Sequence, residues 1–149
     1  QGEIYAGLCA TLIQMGRADE AVDSCAQAVV FSPTRADYRT RWGQALRVAG
    51  ELAAAERVLS AALAFDARDA RAHYELAFIY QQQKKIELAE AHYRRALDAS
   101  PAFFAAHYNL AILLVDAGRA EEAELHFAAA QRADRELWQR LRGDLPRPK

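Results

Sequence analysis

Residues 70–103 read ARAHYELAFIYQQQKKIELAEAHYRRALDASPAF, and residues 104–137 read FAAHYNLAILLVDAGRAEEAELHFAAAQRADREL. Both stretches are 34 residues long, and the tripeptide Ala-His-Tyr begins at the third residue of each. A second histidine follows at the same offset in both stretches, as His92 and His126. Recurrence at a fixed period of this length indicates a protein built from one repeated supersecondary unit.

The same period extends over the rest of the chain. Gly16 and Gly50 are 34 residues apart, Gly118 lies two periods beyond Gly50, and Lys84 takes the place between them. Three further positions of each unit hold small residues: Cys9, Gly43, Ala77 and Ala111; Ala21, Ala55, Ala89 and Ala123; Ala28, Ala62, Ala96 and Ala130. The repeat therefore predicts a single domain over residues 1–149, made of the four units 2–35, 36–69, 70–103 and 104–137.

Within each unit, apolar residues recur at helical spacing. Leu76, Ala77 and Tyr80 fall on one face of a first helix, and Ala89 and Tyr93 fall on one face of a second. The link between the two is short, so the helices must be antiparallel, and its glycine suits the left-handed backbone that often ends a helix. We predict helices at 3–15, 18–31, 36–49, 52–65, 70–83, 86–99, 104–117 and 120–132.

The detailed pattern resembles the tetratricopeptide repeat family over residues 2–135. A large apolar residue stands at the seventh position of each unit, beside the small eighth one: Leu8, Trp42, Leu76 and Leu110. The fourth position, often Trp in the family, is Tyr5, Arg39, His73 and His107 here. The resemblance implies an all-α fold, a right-handed superhelical solenoid of antiparallel helix pairs whose first helices line a concave face.

The segment after the fourth unit has the features of a cap. Asp134 can cap a short helix at about 135–142, and Leu137, Trp138 and Leu141 share one of its faces. A solenoid needs such a cover because its last repeat exposes an apolar flank. We interpret residues 143–149 as a frayed tail or the start of a linker.

Composition argues against several classes of partner. The net charge is −1 with 26% charged residues, so a strongly basic nucleic-acid-binding face is not expected. No apolar stretch approaches the roughly 18 residues of a membrane span, and we predict no membrane insertion. Three lysines against 16 arginines hint at a GC-rich bacterial source. The chain starts at Gln1, which suggests a trimmed piece; a cytoplasmic location is favoured and a periplasmic one stays open.

Side chains with catalytic potential fit structural roles better. Cys9 and Cys25 occupy core positions, and we predict two buried, reduced thiols. His73, His92 and their repeat equivalents lack the spacing of zinc ligands. No serine lies in a GxSxG motif and no Gly-rich phosphate loop is present. We therefore predict no cofactor, no metal and no enzymatic activity.

By the same resemblance, certain positions of the first helices face the groove. The candidate partner-binding residues are Arg47, Arg71, Tyr74, Phe78, Gln81, Tyr108, Ile112, Val115 and Asp116. Exposed aromatic and apolar residues of this kind mark binding sites, and arginine and tyrosine are frequent anchors. The alternative is that these aromatic residues belong to the core.

Some family members grip a peptide carboxylate with basic and Asn residues at fixed positions. The matching positions here hold Ala6, Ala10, Arg41, Arg71 and Glu75, or in the next register Thr40, Gln44, Glu75, Ala105 and Asn109. Neither set reproduces that clamp.

The predicted function is a protein-interaction scaffold that binds a peptide or helix of another protein in its concave groove. Two alternatives stay open. The chain could be a self-assembly module, or it could be a targeting domain of a larger bacterial enzyme such as a glycosyltransferase or sulfotransferase.

Overall fold

The computed structural model describes residues 1–144, and that part of the chain is helical, with no strand. Within residues 1–144, eight helices form four antiparallel pairs, and a ninth, shorter helix follows. In chain order they are α1 Gly2–Gln14, α2 Ala18–Phe31, α3 Ala36–Val48, α4 Leu52–Phe65, α5 Ala70–Gln82, α6 Ile86–Ala99, α7 Phe104–Asp116, α8 Ala120–Ala133 and α9 Arg135–Leu141. The predicted all-α superhelical solenoid is confirmed, and the helix boundaries fall within one residue of those expected.

The turn inside each pair has one geometry, repeated four times. Gly16, Gly50 and Gly118 have φ between 71° and 86°, in the left-handed region. Lys84 adopts the same conformation with φ of 62°, so loss of the glycine leaves the turn unchanged. Its amide donates to the carbonyl of Gln81, and the Lys85 amide donates to the carbonyl of Tyr80, as in a Schellman motif.

Small residues set the distance between helices. At the two positions that hold alanine in all four units, every alanine is at most 1% exposed. Gly43 shows why bulk is excluded, because a Cβ atom there would lie 2.4 Å from Cγ of Leu59 in the partner helix. The largest fully buried side chains include Tyr93, Leu59, Leu76, Leu110 and Leu114. These buried positions are the ones that the repeat alignment assigns to contacts between helices; the bounds of the four units stay a prediction.

Helix α9 packs against α8 at the end of the fourth pair, and its role as a cap stays a prediction. The Asp134 side chain accepts a hydrogen bond of 2.9 Å from the Leu137 amide and so caps the helix start. The Trp138 ring lies 5.7 Å from the Phe127 ring of α8. A 3-10 turn at Arg142–Asp144 follows, so the predicted tail begins with ordered turn structure, and residues 145–149 lie outside the described part of the chain. The domain limits of 1–149 stay a prediction.

The prediction of reduced thiols in the first pair is wrong. Cys9 in α1 and Cys25 in α2 are both buried, as expected, but they form a disulfide. Their Cα atoms are 5.1 Å apart, which lies within the range that a disulfide spans. The small eighth position of the first helix brings the two backbones close, and a second cysteine stands opposite. The bond covalently joins the two helices of the first unit.

Candidate partner-binding groove

The first helices of successive pairs share one face of the solenoid. Residues of α1, α3 and α5, together with the N-cap residue of α5, line a polar pocket of about 340 Å³ on this face, among them Gln14, Arg41, Gln44, Asp69 and Arg71. A smaller pocket of about 200 Å³ lies near the turn end of α5 and α7, where Gln81 and Asp116 are among the lining residues. Three of the candidate residues therefore border pockets.

Arg47 and Phe78 form a fixed pair on this face. The Arg47 guanidinium lies 4.6 Å from the centre of the Phe78 ring, in cation–π contact. Its Nε atom also donates a hydrogen bond of 2.6 Å to Oε2 of Glu75, which is fully buried. The guanidinium is thus held from two directions, and its two Nη atoms make no hydrogen bond within residues 1–144. Phe78 itself is half-buried.

Tyr74 packs more deeply into the protein than a side chain that only lines the groove surface. Its ring contacts Phe78, Tyr93 and Phe103, with ring centres 5.1–6.5 Å apart, and packs against the buried core. Asn109 of α7 donates a hydrogen bond of 3.0 Å to its hydroxyl oxygen. Burial raises the pKa of Tyr74, and the nearby Glu75 carboxylate adds to that effect. Tyr74 therefore belongs partly to the interface between the third and fourth pairs.

The remaining candidates differ in exposure. Tyr108, Ile112 and Val115 of α7 are half-buried, and Asp116 at its end is exposed. The Tyr108 ring stacks on Phe104 at 5.8 Å and meets Phe127 edge-on at 6.1 Å. Val115 packs against the core, and the Gln81 side-chain oxygen accepts a hydrogen bond of 2.7 Å from the Tyr93 hydroxyl.

Comparison with known proteins places this geometry in a family. A tetratricopeptide repeat model matches residues 40–102, and a second one matches residues 82–145. The chain belongs to the tetratricopeptide repeat family. Proteins built from these repeats act as interaction scaffolds, and that is the class of function of this chain.

Solved structures share the fold of this tetratricopeptide repeat protein at low sequence identity. A thermophilic TPR protein of Thermus thermophilus is 23% identical with a TM-score of 0.83, over 95% of this chain and 79% of its own. PilF of Pseudomonas aeruginosa is 22% identical with a TM-score of 0.80, over 90% and 61%. MamA of Desulfovibrio magneticus RS-1 is 24% identical with a TM-score of 0.73, over 91% and 77%. No curated protein sequence matches the chain.

Sequence reasoning missed the histidine pairs of this tetratricopeptide repeat protein. Nδ1 of His73 lies 3.0 Å from Nδ1 of His92, and the same distance separates His107 from His126. The pairs form inside a unit, between its first and second helices, and not between units. Nε2 of His73 faces the Ala67 carbonyl oxygen at 3.1 Å, so that nitrogen carries the proton and Nδ1 accepts from His92. The signal was available, since both units place their histidines 19 residues apart.

Two other kinds of feature are absent from residues 1–144. No group of three or more His, Cys, Asp or Glu side chains is arranged to hold a metal ion there. None of the helices in that part is both long and apolar enough to cross a membrane.

Proposed function

We propose that this chain binds a peptide or helix of another protein along the face formed by its first helices. The binding residues would be Arg47, Arg71, Phe78, Gln81, Tyr108, Ile112, Val115 and Asp116, with Tyr74 supporting them from below. Binding, rather than catalysis, is the role we assign to this face.

The Arg47–Phe78 pair is the observation that supports the proposal most. An aromatic ring and a guanidinium already fixed against each other lose little conformational entropy when a partner covers them. Arginine and aromatic residues are also enriched among the residues that dominate binding energy. Because Glu75 holds Arg47 in place, the pair is preorganised in the free protein.

Apolar residues of α3 and α7 could extend the site beyond the pair. Val48 follows Arg47 as the last residue of α3, and its side chain is 42% exposed. The half-buried Ile112 and Tyr108 extend the apolar surface onto α7. An amphipathic helix or an extended segment could lay its apolar side chains along such a face.

The proposal is tested with Phe78→Ala. Partners captured from a lysate of the source cells should be lost or weakened at least about tenfold, as for a binding hot spot. Leu125→Ala is the matched control, because Leu125 is a 70% exposed apolar residue on the second helix α8. Thermal melts of both variants show whether the fold is intact. A folded Phe78→Ala protein that captures the same partners as the wild type would contradict the proposal.

Self-association is a second candidate, supported by the outer face of α1. Ile4 is 73% exposed, whereas its equivalents Tyr38, Ala72 and Ala106 are at most 4% exposed. Leu8 is 46% exposed, whereas Leu110 at the same position of the fourth unit is fully buried. In the later units the second helix of the preceding pair covers this face, and the first unit has no such cover in the described residues.

Light scattering over a range of concentrations tests this candidate. A mass that rises with concentration in the wild type and stays monomeric in Leu8→Lys would support an α1 interface. A constant monomer mass would rule it out. The targeting-domain alternative stays a prediction from the sequence.

A further inference from the structure

The charge of the chain is distributed unevenly between its two ends. Residues 131–149 contain six basic and three acidic side chains, a net charge of +3, whereas residues 1–130 carry −4. Two of the six basic residues, Arg147 and Lys149, lie outside the described part of the chain. Such an asymmetry, which the net charge of −1 conceals, indicates that the basic end meets an anionic partner.

Three arginines of this end lie on one side of α8 and α9. Arg132 near the end of α8 and Arg135 at the start of α9 line a pocket of about 440 Å³ together with Trp138 and two glutamines. Arg142 follows Arg135 by two helical turns and so extends the same side of α9. All three arginines are exposed, and none makes a hydrogen bond or ion pair with residues 1–144. We call Arg132, Arg135, Trp138 and Arg142 the α9 surface.

The nearby carboxylates leave the α9 surface positive. No described residue that lines the pocket is acidic. Asp134 accepts a hydrogen bond of 2.9 Å from the Leu137 amide at the start of α9, and its charge offsets one of the three arginines at most. Glu136 comes two residues before Trp138, which places it on the opposite side of the helix. The groups that face outward are therefore hydrogen-bond donors with unused capacity.

Apolar side chains of α9 lie beside these arginines. Leu137, Trp138 and Leu141 are half-buried, so α8 covers only part of each. The Trp138 ring contacts Phe127 of α8 at 5.7 Å and also borders the open pocket. Tryptophan and leucine next to arginines are typical of helices that lie at the boundary between lipid headgroups and acyl chains.

We propose that the α9 surface binds peripherally to the anionic headgroups of a lipid bilayer. Phosphate oxygens accept hydrogen bonds from guanidinium groups in a bidentate manner, and every basic side chain close to an anionic bilayer strengthens binding. A bilayer meets only this end of the molecule, whereas a long nucleic-acid strand following the protein surface would meet the acidic remainder and be repelled. Docking through α9 leaves the groove of the first helices free, so this proposal is independent of what the groove binds.

Co-sedimentation with large unilamellar vesicles tests the proposal. The full chain is mixed with vesicles of phosphatidylcholine alone, or of phosphatidylcholine and phosphatidylglycerol in equal parts, in low and in high salt. We expect binding to the anionic vesicles that weakens in high salt, and no binding to the neutral vesicles. Arg132→Gln/Arg135→Gln/Arg142→Gln should reduce the partition coefficient at least about tenfold.

A second triple variant controls for the loss of net charge. Arg41→Gln/Arg57→Gln/Arg95→Gln removes three exposed arginines of α3, α4 and α6 and should bind anionic vesicles as the wild type does. Thermal melts of both triple variants show whether the fold is intact. An equal loss of binding in the two folded variants would mean that overall charge, and not the α9 surface, is responsible, and would overturn the proposal.

Two further outcomes would also overturn it. Wild-type protein that stays in the supernatant with anionic vesicles in low salt would show that the α9 surface does not bind a bilayer. A labelled single-stranded oligonucleotide of random sequence is the competing probe. If it binds the wild type at lower protein concentration than the vesicles do, and Arg132→Gln/Arg135→Gln/Arg142→Gln abolishes that binding, the α9 surface belongs to nucleic acid.

Discussion

Nε of Arg47 in α3 donates a hydrogen bond of 2.6 Å to Oε2 of Glu75 in α5, and this contact joins the second repeat to the third. Glu75 is fully buried and Arg47 is 17% exposed. Arg47→Met would leave a buried carboxylate without its hydrogen-bonded cation, with Arg71 remaining at 4.0 Å. We expect a loss of about 3 kcal/mol in the free energy of unfolding, measured by urea denaturation.

Two further variants show whether the charge is the cause. Arg47→Met/Glu75→Gln removes both charges and should recover a large part of the lost stability. Arg71→Gln should change stability by less than about 0.5 kcal/mol, because this arginine is exposed and has no hydrogen bond to lose. An equal loss in the single and double Arg47 variants would mean that packing, and not the ion pair, stabilises this interface.

Lys84 adopts a left-handed backbone that three glycines adopt at the equivalent turns. In this conformation a residue with a Cβ atom is less stable than glycine by about 1–2 kcal/mol. The greater conformational freedom of glycine in the unfolded chain offsets part of that difference. Lys84→Gly should therefore raise the free energy of unfolding by about 1 kcal/mol. Gly50→Ala should lower it by a similar amount, because no atom lies within 4 Å of the added Cβ and only the backbone conformation is opposed. A stabilising Gly50→Ala would contradict this account.

The histidine pairs predict a dependence of stability on pH. Burial and the neighbouring His73 lower the pKa of His92 to about 4, and burial and His107 lower the pKa of His126. The unfolded chain, with an ordinary histidine pKa near 6.5, then binds more protons than the folded chain as pH falls from about 6.5 to 4. The stabilising contribution is complete above pH 6.5 and is lost on acidification through this window. Allowing for partial exposure, we expect about 1 kcal/mol for the His73–His92 pair in denaturant melts, and a loss in the same direction for the His107–His126 pair.

The first two repeats provide an internal control for this effect. Their fourth positions hold Tyr5 and Arg39, so they contain no histidine pair. Hydrogen exchange at pH 5 should therefore show lost protection in α5–α8 before α1–α4. His92→Leu/His126→Leu should flatten the pH profile, and an unchanged slope in that variant would assign the effect to other groups.

The period of the sequence was sufficient to predict the fold but not the charged part of the groove. The spacing of apolar residues and the recurrence of small ones follow from helix geometry. Ala55 and Ala89 could therefore be assigned to contacts between helices from the sequence. The burial of Glu75 could not be anticipated, because an acidic residue in a first helix ordinarily faces water and its partner Arg47 is 28 residues away. Tyr74 illustrates a middle case, since helical spacing placed it on the correct face but could not show how deeply its ring packs.

The Cys9–Cys25 disulfide closes a loop over a sequence separation of 16 residues. Constraining the unfolded chain over such a loop contributes about 3 kcal/mol, so a reducing agent should lower the melting temperature. Both cysteines are buried, and reduction in the native state should be slow. Hydrogen exchange of the reduced protein should show α1 and α2 losing protection first, while α7 and α8 keep theirs. A mass two hydrogens heavier than that of the disulfide form, measured before reduction, would show that the thiols are free.

Trp138 is the residue through which we expect α9 to stabilise the end of the solenoid. Trp138→Ala would lower the free energy of unfolding by about 3 kcal/mol if the ring were fully buried. The ring is half-buried and meets Phe127 at 5.7 Å, so we expect a smaller loss of about 1–2 kcal/mol. Each repeat contacts only its neighbours, so the loss should appear as weaker hydrogen-exchange protection in α7 and α8, and removal of residues 135–149 should enlarge it. Equal loss of protection in α1–α8 would mean that the four pairs unfold as one cooperative unit and that α9 stabilises all of them.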